Sequence, residues 1–160
     1  MISFDIEGYK FNYRVAGIFV DSKNKRFLTN TAKNIDFVVL PGGRVDAGED
    51  SAFALKRELK EELNAEIDVG PLKAITENFF EFDGKKYHEL QYFYVAKFKD
   101  TNLEKYDGQF LGIEEKDLYE WFDIEKIDTI PYKPTHMKEA IKEALNGDNT
   151  FRHLINKKNG

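Results

Sequence analysis

The chain of 160 residues predicts an α+β fold, a mixed sheet with helices on both faces. Three observations carry this. Short β-type runs mix with two helix-spaced segments without the regular alternation of a doubly wound sheet. The pair Asp83-Gly84 sits between two long runs rich in aromatic and β-branched residues, which marks a hairpin. Gly42-Gly43 follows a short apolar run and precedes a helix pattern, so the backbone there can approach a ligand closely.

Taken in order, Val15 to Val20, closed by Asp21-Ser22-Lys23-Asn24, and Lys25 to Asn30 form two strands joined by a turn. Phe37-Val38-Val39-Leu40 is a short buried-type strand stopped by Pro41. Asp50 or Ser51 caps a helix that runs to about Leu63, with Asn64 just beyond, where asparagine tolerates a left-handed conformation. Ala74 to Phe82 and Lys85 to Phe98 flank Asp83-Gly84, whose preference for positive φ suits a type I′ turn. Met137, Ala140, Ile141, Ala144 and Leu145 keep helical spacing, with Thr135 as a cap and Gly147 after the end. Phe151 to Ile155 is expected to add one more helical turn.

Length and the lack of repeats or linker-like tracts predict a single domain over residues 1–160. With no cysteine, disulfides and thiolate zinc sites are excluded, and His88, His136 and His153 are too scattered to form a ligand set, so each is expected at the surface or in packing. The first residues lack the pattern of a signal peptide and the longest apolar run is too short to span a bilayer, so a soluble, cytoplasmic protein without membrane contact is expected. A formal net charge of -5 argues against a nucleic-acid polymer as ligand but allows a small phosphorylated molecule carried with a metal. Monomer and homodimer both stay open.

The chemistry concentrates between Gly43 and Ala65. Glu49 follows Gly43 at six residues, and seven residues separate it from Arg57-Glu58-Leu59-Lys60-Glu61-Glu62-Leu63. On a helix with Glu58 at zero, Glu61 falls at about 300° and Glu62 at about 40°, beside an apolar arc of Ala52, Leu55, Leu59 and Leu63 between about 60° and 140°. Glu58 and Glu62 are like charges at i,i+4, which repel unless neutralised. Oxygen-only ligands of this kind suit Mg²⁺ or Mn²⁺, and Mg²⁺ normally shares its coordination with substrate phosphates. Taken alone, three glutamates on a helix are more often a solvated face. Their spacing from Gly42, Gly43, Glu49 and Arg57 argues for a site.

This segment resembles the Nudix box, G-x5-E-x7-R-E-U-x-E-E-x-G-U with U aliphatic, at every fixed position except Asn64, where the family has glycine. Arg14-Val15-Ala16-Gly17, Phe79-Phe80, Tyr87-His88-Glu89 and Glu120-Trp121 resemble family segments more loosely. The resemblance implies an α/β/α sandwich with a mixed central sheet. It also implies hydrolysis, with Mg²⁺, of a pyrophosphate bond in a small nucleoside diphosphate derivative. By the same resemblance Glu58, Glu61 and Glu62 match the metal-binding and base-positioning glutamates, the Gly42 carbonyl matches a further ligand, and Arg57 with Glu49 orients the first glutamate.

Which glutamate is the base stays open. Glu114 and Glu115, a few residues before Trp121, are candidates for an added ligand or base, and an exposed acidic turn is the equal alternative. Phe79, Phe80 and Tyr87 could stack on a base, and Arg14 or Arg44 could meet phosphate. Nucleoside triphosphates, dinucleoside polyphosphates, ADP-ribose and nucleotide sugars are all open as substrates. The competing class, a non-catalytic nucleotide-binding regulatory module, would be expected to have lost glutamates, whereas this chain keeps all three.

Overall fold

The structure is a computed structural model, and it describes residues 1–32, 35–100, 109–131, 133 and 135–157. The elements run β1 (Ser3–Ile6), β2 (Tyr9–Asp21), β3 (Arg26–Ala32), β4 (Gly42–Arg44), α1 (Ser51–Leu63), β5 (Ile67–Phe82), β6 (Lys85–Phe98), β7 (Gln109–Leu111), β8 (Asp117–Asp123), α2 (Lys138–Leu145) and β9 (Arg152–Asn156). The strand order is β7-β8-β3-β2-β6-β5-β9, with β1 and β4 added on β2. Pairing is parallel for β2 with β6 and for β5 with β9, and antiparallel elsewhere, so the sheet is mixed as expected.

Successive strand residues point to opposite faces, and each face is covered by one helix. Val15, Phe19 and Leu28 pack with Ala54, Leu55 and Leu59 of α1. Ala16, Ile18 and Phe93 pack with Ala140, Ile141 and Ala144 of α2. This is the α/β/α sandwich the resemblance implied. No helix among the described residues is long and apolar enough to cross a membrane.

One edge of β2 organises the site. β6 runs along the whole opposite edge, from Tyr9 to Phe19, but the near edge is shared in succession by three partners. β1 takes Tyr9 to Asn12, β4 takes Arg14 to Ala16, and β3 pairs only at Val20 and Asp21 before leaving. The divergence of β3 from β2 opens a cavity above the sheet.

Both helix-end expectations for α1 hold. The Asp50 side chain accepts from the Phe53 amide at 2.8 Å, and Asn64 adopts φ 53°, ψ 32° with its amide bonded to the Lys60 carbonyl at 3.0 Å. Asp83 and Gly84 have φ of 53° and 75°, both positive as the type I′ turn requires.

Several expectations need correction. Residues 151–155 do not add a helical turn, because Arg152–Asn156 is strand β9, paired in parallel with Ala74 to Asn78. A five-residue apolar run carries too few periods to separate helix from strand, and the neighbouring edge of β5 decided it. Phe37 to Leu40 is not a full strand: Val39 makes an isolated bridge with Asn30, and Val38 bonds on its other side to Pro131 and Lys133, each at 2.9 Å. Thr135 opens a 3-10 turn through Met137, and the N-cap position of α2 falls to Met137 without a side-chain bond. The sequence reading also missed β1, which folds back on β2 through Glu7 and Gly8 at φ 51° and 85°.

Candidate active site

The glutamates of α1 do not sit where a simple amphipathic wheel places them. Ala54 and Leu55, at about 320° and 60° from Glu58, are both buried, as are Ser51 and Leu59. Glu58 therefore lies inside the core-facing arc, with its side chain 16% exposed, and only Glu61, 59% exposed, faces solvent. Gly43 makes this possible, since a Cβ there would collide with the Glu58 carboxyl group.

Arg57 ties the cluster together. Its Nε and Nη2 donate to the two oxygens of Glu49 at 3.0 and 2.6 Å, while Nη1 donates to Glu58 at 3.0 Å and Glu61 at 3.2 Å. Nη2 also reaches the Arg44 carbonyl at 3.1 Å, which joins α1 to β4. The bonds from Arg57 hold the Glu49 carboxyl below its ordinary range, and Glu49 in turn raises Arg57. A two-point guanidinium fork of this kind fixes orientation as well as charge.

Glu62 is held differently. The buried Tyr119 hydroxyl, on β8, donates to its Oε2 at 2.7 Å, and the Ile113 amide donates to its main-chain carbonyl at 2.8 Å. Burial, helped by the Glu58 and Asp117 charges and opposed by the Tyr119 bond, pushes the Glu62 carboxyl up to about 7. Tyr119 is itself raised, first by burial and then by Glu62.

These groups stand at one end of a cavity of about 910 Å³. Its floor follows cross-strand rows on β2, β6 and β5, namely Arg14 and Gln91, then Asn12, Glu89 and Asn78, then Tyr87 and Phe80. Phe80 and Tyr87 stack at 4.9 Å with planes 3° apart and both line the cavity. Phe79 alternates to the opposite face, where it packs on His88 at 4.5 Å, and it does not line the cavity. Arg14 and Arg44 both border it; Arg44 donates to the Met1 sulfur at 3.2 Å while its Nε is buried without a partner.

Glu114 and Glu115 are exposed on the turn between β7 and β8, with Glu114 paired to Lys116 at 2.5 Å. Neither borders the cavity, whereas Lys116 and Asp117 do. His153 pairs with Glu77 at 2.7 Å and His136 is partly buried, so no histidine enters the site. Sequence reading missed Asn12, Asp117 and Tyr119, and took Glu89 only as part of a loose family segment. Their places follow from strand register, which no local pattern in the sequence signals.

The residues fit a divalent cation. Among the described residues no three acidic or histidine side chains already converge as a cage. The donor set is nevertheless all oxygen, and two half-buried carboxylates, Glu58 and Glu62, repel each other beside it. Gly42 adds a main-chain donor. Gly17 with Pro41 and Tyr13 with Val45 are the hydrogen-bonded positions of the β2–β4 ladder, so Gly42 falls between them and its carbonyl is not taken by β2.

Comparison with known proteins agrees with this geometry. The NUDIX domain family model matches residues 10–144. An 8-oxo-dGTP diphosphatase of Haemophilus influenzae is 30% identical over 139 residues, spanning 85% of this chain and 93% of its own. Among solved structures, a UDP-X diphosphatase superposes with a TM-score of 0.63 at 17% identity, over 89% of this chain and 66%, just under two thirds, of that longer one. The MutT protein from Bacillus halodurans gives 0.58 at 20% identity, over 89% of each chain. The two structures speak for the fold, and the family model with the Haemophilus relative speaks for descent: the chain belongs to the Nudix family and is a Nudix hydrolase.

Proposed function

We propose that this hydrolase cleaves, with water and a divalent cation, Mg²⁺ or Mn²⁺, the pyrophosphate bond of a nucleoside diphosphate linked to another group. The observation that carries the reading is the placement of Glu58 and Glu62 on the core-facing side of α1. Burying two like charges four residues apart is costly unless a positive charge joins them.

Glu58, Glu61, Glu62 and the Gly42 carbonyl would hold the ion, with Arg57 fixing Glu58 and Glu61 and Glu49 fixing Arg57. Such a cation supplies charge neutralisation at the phosphate oxygens and lowers the pKa of a bound water. Water adds to one phosphorus, the bridging oxygen leaves with the other phosphoryl group, and the released proton goes to a carboxylate of this set. Arg14 stands one edge over from β4, where it can meet phosphate oxygens. The Phe80–Tyr87 row lies four residues before the Arg14 row along β6, about 13 Å away, which leaves room for a nucleoside and part of its phosphate chain between them. Phe79, on the other face, is not part of that platform. The names of the two diphosphatases compared above, for 8-oxo-dGTP and for UDP-X, fall within this substrate class.

The test is product analysis with purified protein and Mg²⁺ or Mn²⁺ against nucleoside triphosphates, dinucleoside polyphosphates, ADP-ribose and nucleotide sugars. Hydrolysis of at least one, abolished by chelator while far-UV circular dichroism stays folded, is the expected result. No cleavage of any, with the protein folded, overturns the reading.

A further inference from the structure

We infer that Glu89 is the sugar-reading residue of the cavity and makes the protein prefer ribonucleotides to their 2′-deoxy counterparts. This rests on the proposed reading for the placement of phosphate and base. Glu89 is half-buried in the middle row of the cavity floor, between the Arg14–Gln91 row and the Tyr87–Phe80 row, about 6.6 Å from each along β6. A carboxylate there repels phosphate. It marks the stretch of ligand that carries hydrogen-bond donors instead, and between phosphate and base that stretch is the sugar.

The carboxylate is also aimed. Ser3 Oγ donates to Asn12 Oδ1 at 2.6 Å, and Asn12 Nδ2 donates to Glu89 Oε2 at 2.8 Å. Asn12 is buried, with both ends of its amide used, so it acts as a strut that fixes one oxygen of Glu89. The other, Oε1, has no hydrogen-bond partner among the described residues. On the far side of the row the Asn78 carbonyl oxygen is already taken by Asn156 at 2.9 Å. Glu89 is therefore the row's available acceptor, and a ribose 2′-hydroxyl is the donor that fits it.

The experiment measures dissociation constants for hydrolysis-resistant α,β-methylene analogues of ADP, GDP, CDP and UDP and of their 2′-deoxy counterparts. Wild type and Glu89→Gln are compared, alongside kcat and KM on whichever substrate the panel identifies. A hydrogen bond to a charged acceptor predicts a ribo-over-deoxy preference of roughly 10- to 100-fold in wild type. In Glu89→Gln the amide oxygen can keep the bond from Asn12 and the NH₂ then faces the sugar, so the preference should fall to about 3-fold or less, with a larger change in KM than in kcat. A purely structural role for Glu89 would weaken both sugars equally. Wild type binding both sugars alike, or Glu89→Gln keeping the preference, overturns the inference while the hydrolysis assay stands. Discrimination without any hydrolysis would sink the catalytic reading instead, and no nucleotide binding at all would sink both.

Discussion

Two clusters of charge in this molecule are built from the same residue types with opposite balance. At the site, one guanidinium, that of Arg57, faces four carboxylates, Asp46, Glu49, Glu58 and Glu61. At the far edge of the sheet one carboxylate, that of Glu143 on α2, faces two cations, Lys73 at 2.9 Å and Arg152 at 2.6 Å. The far cluster is complete. Lys73, fully buried, also donates to the carbonyls of Asp148 at 2.9 Å and Thr150 at 2.7 Å, and it pins β5, α2 and the start of β9 together. Its excess of positive charge holds Glu143 at about 2. The site cluster is left short of positive charge, and beside it burial, helped by the Glu58 and Asp117 charges, pushes Glu62 the other way, to about 7. Saturation makes a latch, and deficit makes a place for a cation.

The largest effect should come from changing the deficit. Glu61→Gln or Glu62→Gln keeps shape but gives a poorer ligand that cannot take a proton, and turnover should fall by roughly 10² to 10⁴. The melting temperature without metal should stay level or rise for Glu62→Gln, because repulsion with Glu58 is relieved. Near-normal turnover of both variants at saturating Mg²⁺ would make these glutamates a mere surface.

Next comes the latch. Lys73→Met removes the buried ammonium from Glu143 and from two carbonyls, and urea unfolding should show a loss of about 2 to 3 kcal/mol with kcat per folded molecule unchanged. Acid acts on the same group. Glu143 is held below its ordinary 4.5, chiefly by the Arg152 bond and then by Lys73, so its stabilisation is full above about 4.5 and fades as the pH falls toward 2. Stability measured across that window should fall less steeply in Glu143→Gln than in wild type. An identical slope would place the acid sensitivity elsewhere.

A smaller change tests how Glu62 is held. Tyr119→Phe keeps the ring stacked on Phe110, at 5.4 Å, and removes only the hydroxyl. Turnover should drop about 10-fold with KM for nucleotide steady, and Mn²⁺ binding followed by electron paramagnetic resonance should weaken by a similar factor. If neither moves, the hydroxyl only fills space. The smallest effect belongs to Asn64→Gly at the α1 cap, which should leave kcat nearly unchanged and shift stability by no more than about 1 kcal/mol. A folded Asn64→Gly protein with greatly reduced activity would give that position a chemical role.

What the sequence revealed follows the range of the interactions involved. The caps at Asp50 and Asn64 and the turn at Asp83-Gly84 are local, and each was legible from two or three residues. The box glutamates were legible as a group, but the wheel put Glu58 beside the apolar arc and not within it, because Ala54 on the other flank is also buried. Strand β9 was misread because its state depends on β5, 78 residues earlier in the chain. Register decided the aromatic pair in the same way, turning Phe80 to the cavity and Phe79 away from it. Asn12, Asp117 and Tyr119 carry no signature of their own, and the Glu114-Glu115 pair, which looked acidic enough, points to solvent one turn short of Asp117.

The parallel pairing of β2 with β6 also bears on how the protein acquires its activity. Asn12 and Glu89 are 77 residues apart, and Glu62 and Tyr119 are 57 apart. Contacts of such span form only after long loops close, so folding is expected to be slow for a chain of this size, and binding competence should arrive with those closures, later than the local helix α1. A cut in the β5–β6 hairpin separates Glu58, Glu61 and Glu62 from Glu89 and Tyr119, so the whole cavity exists only when the two fragments pair again.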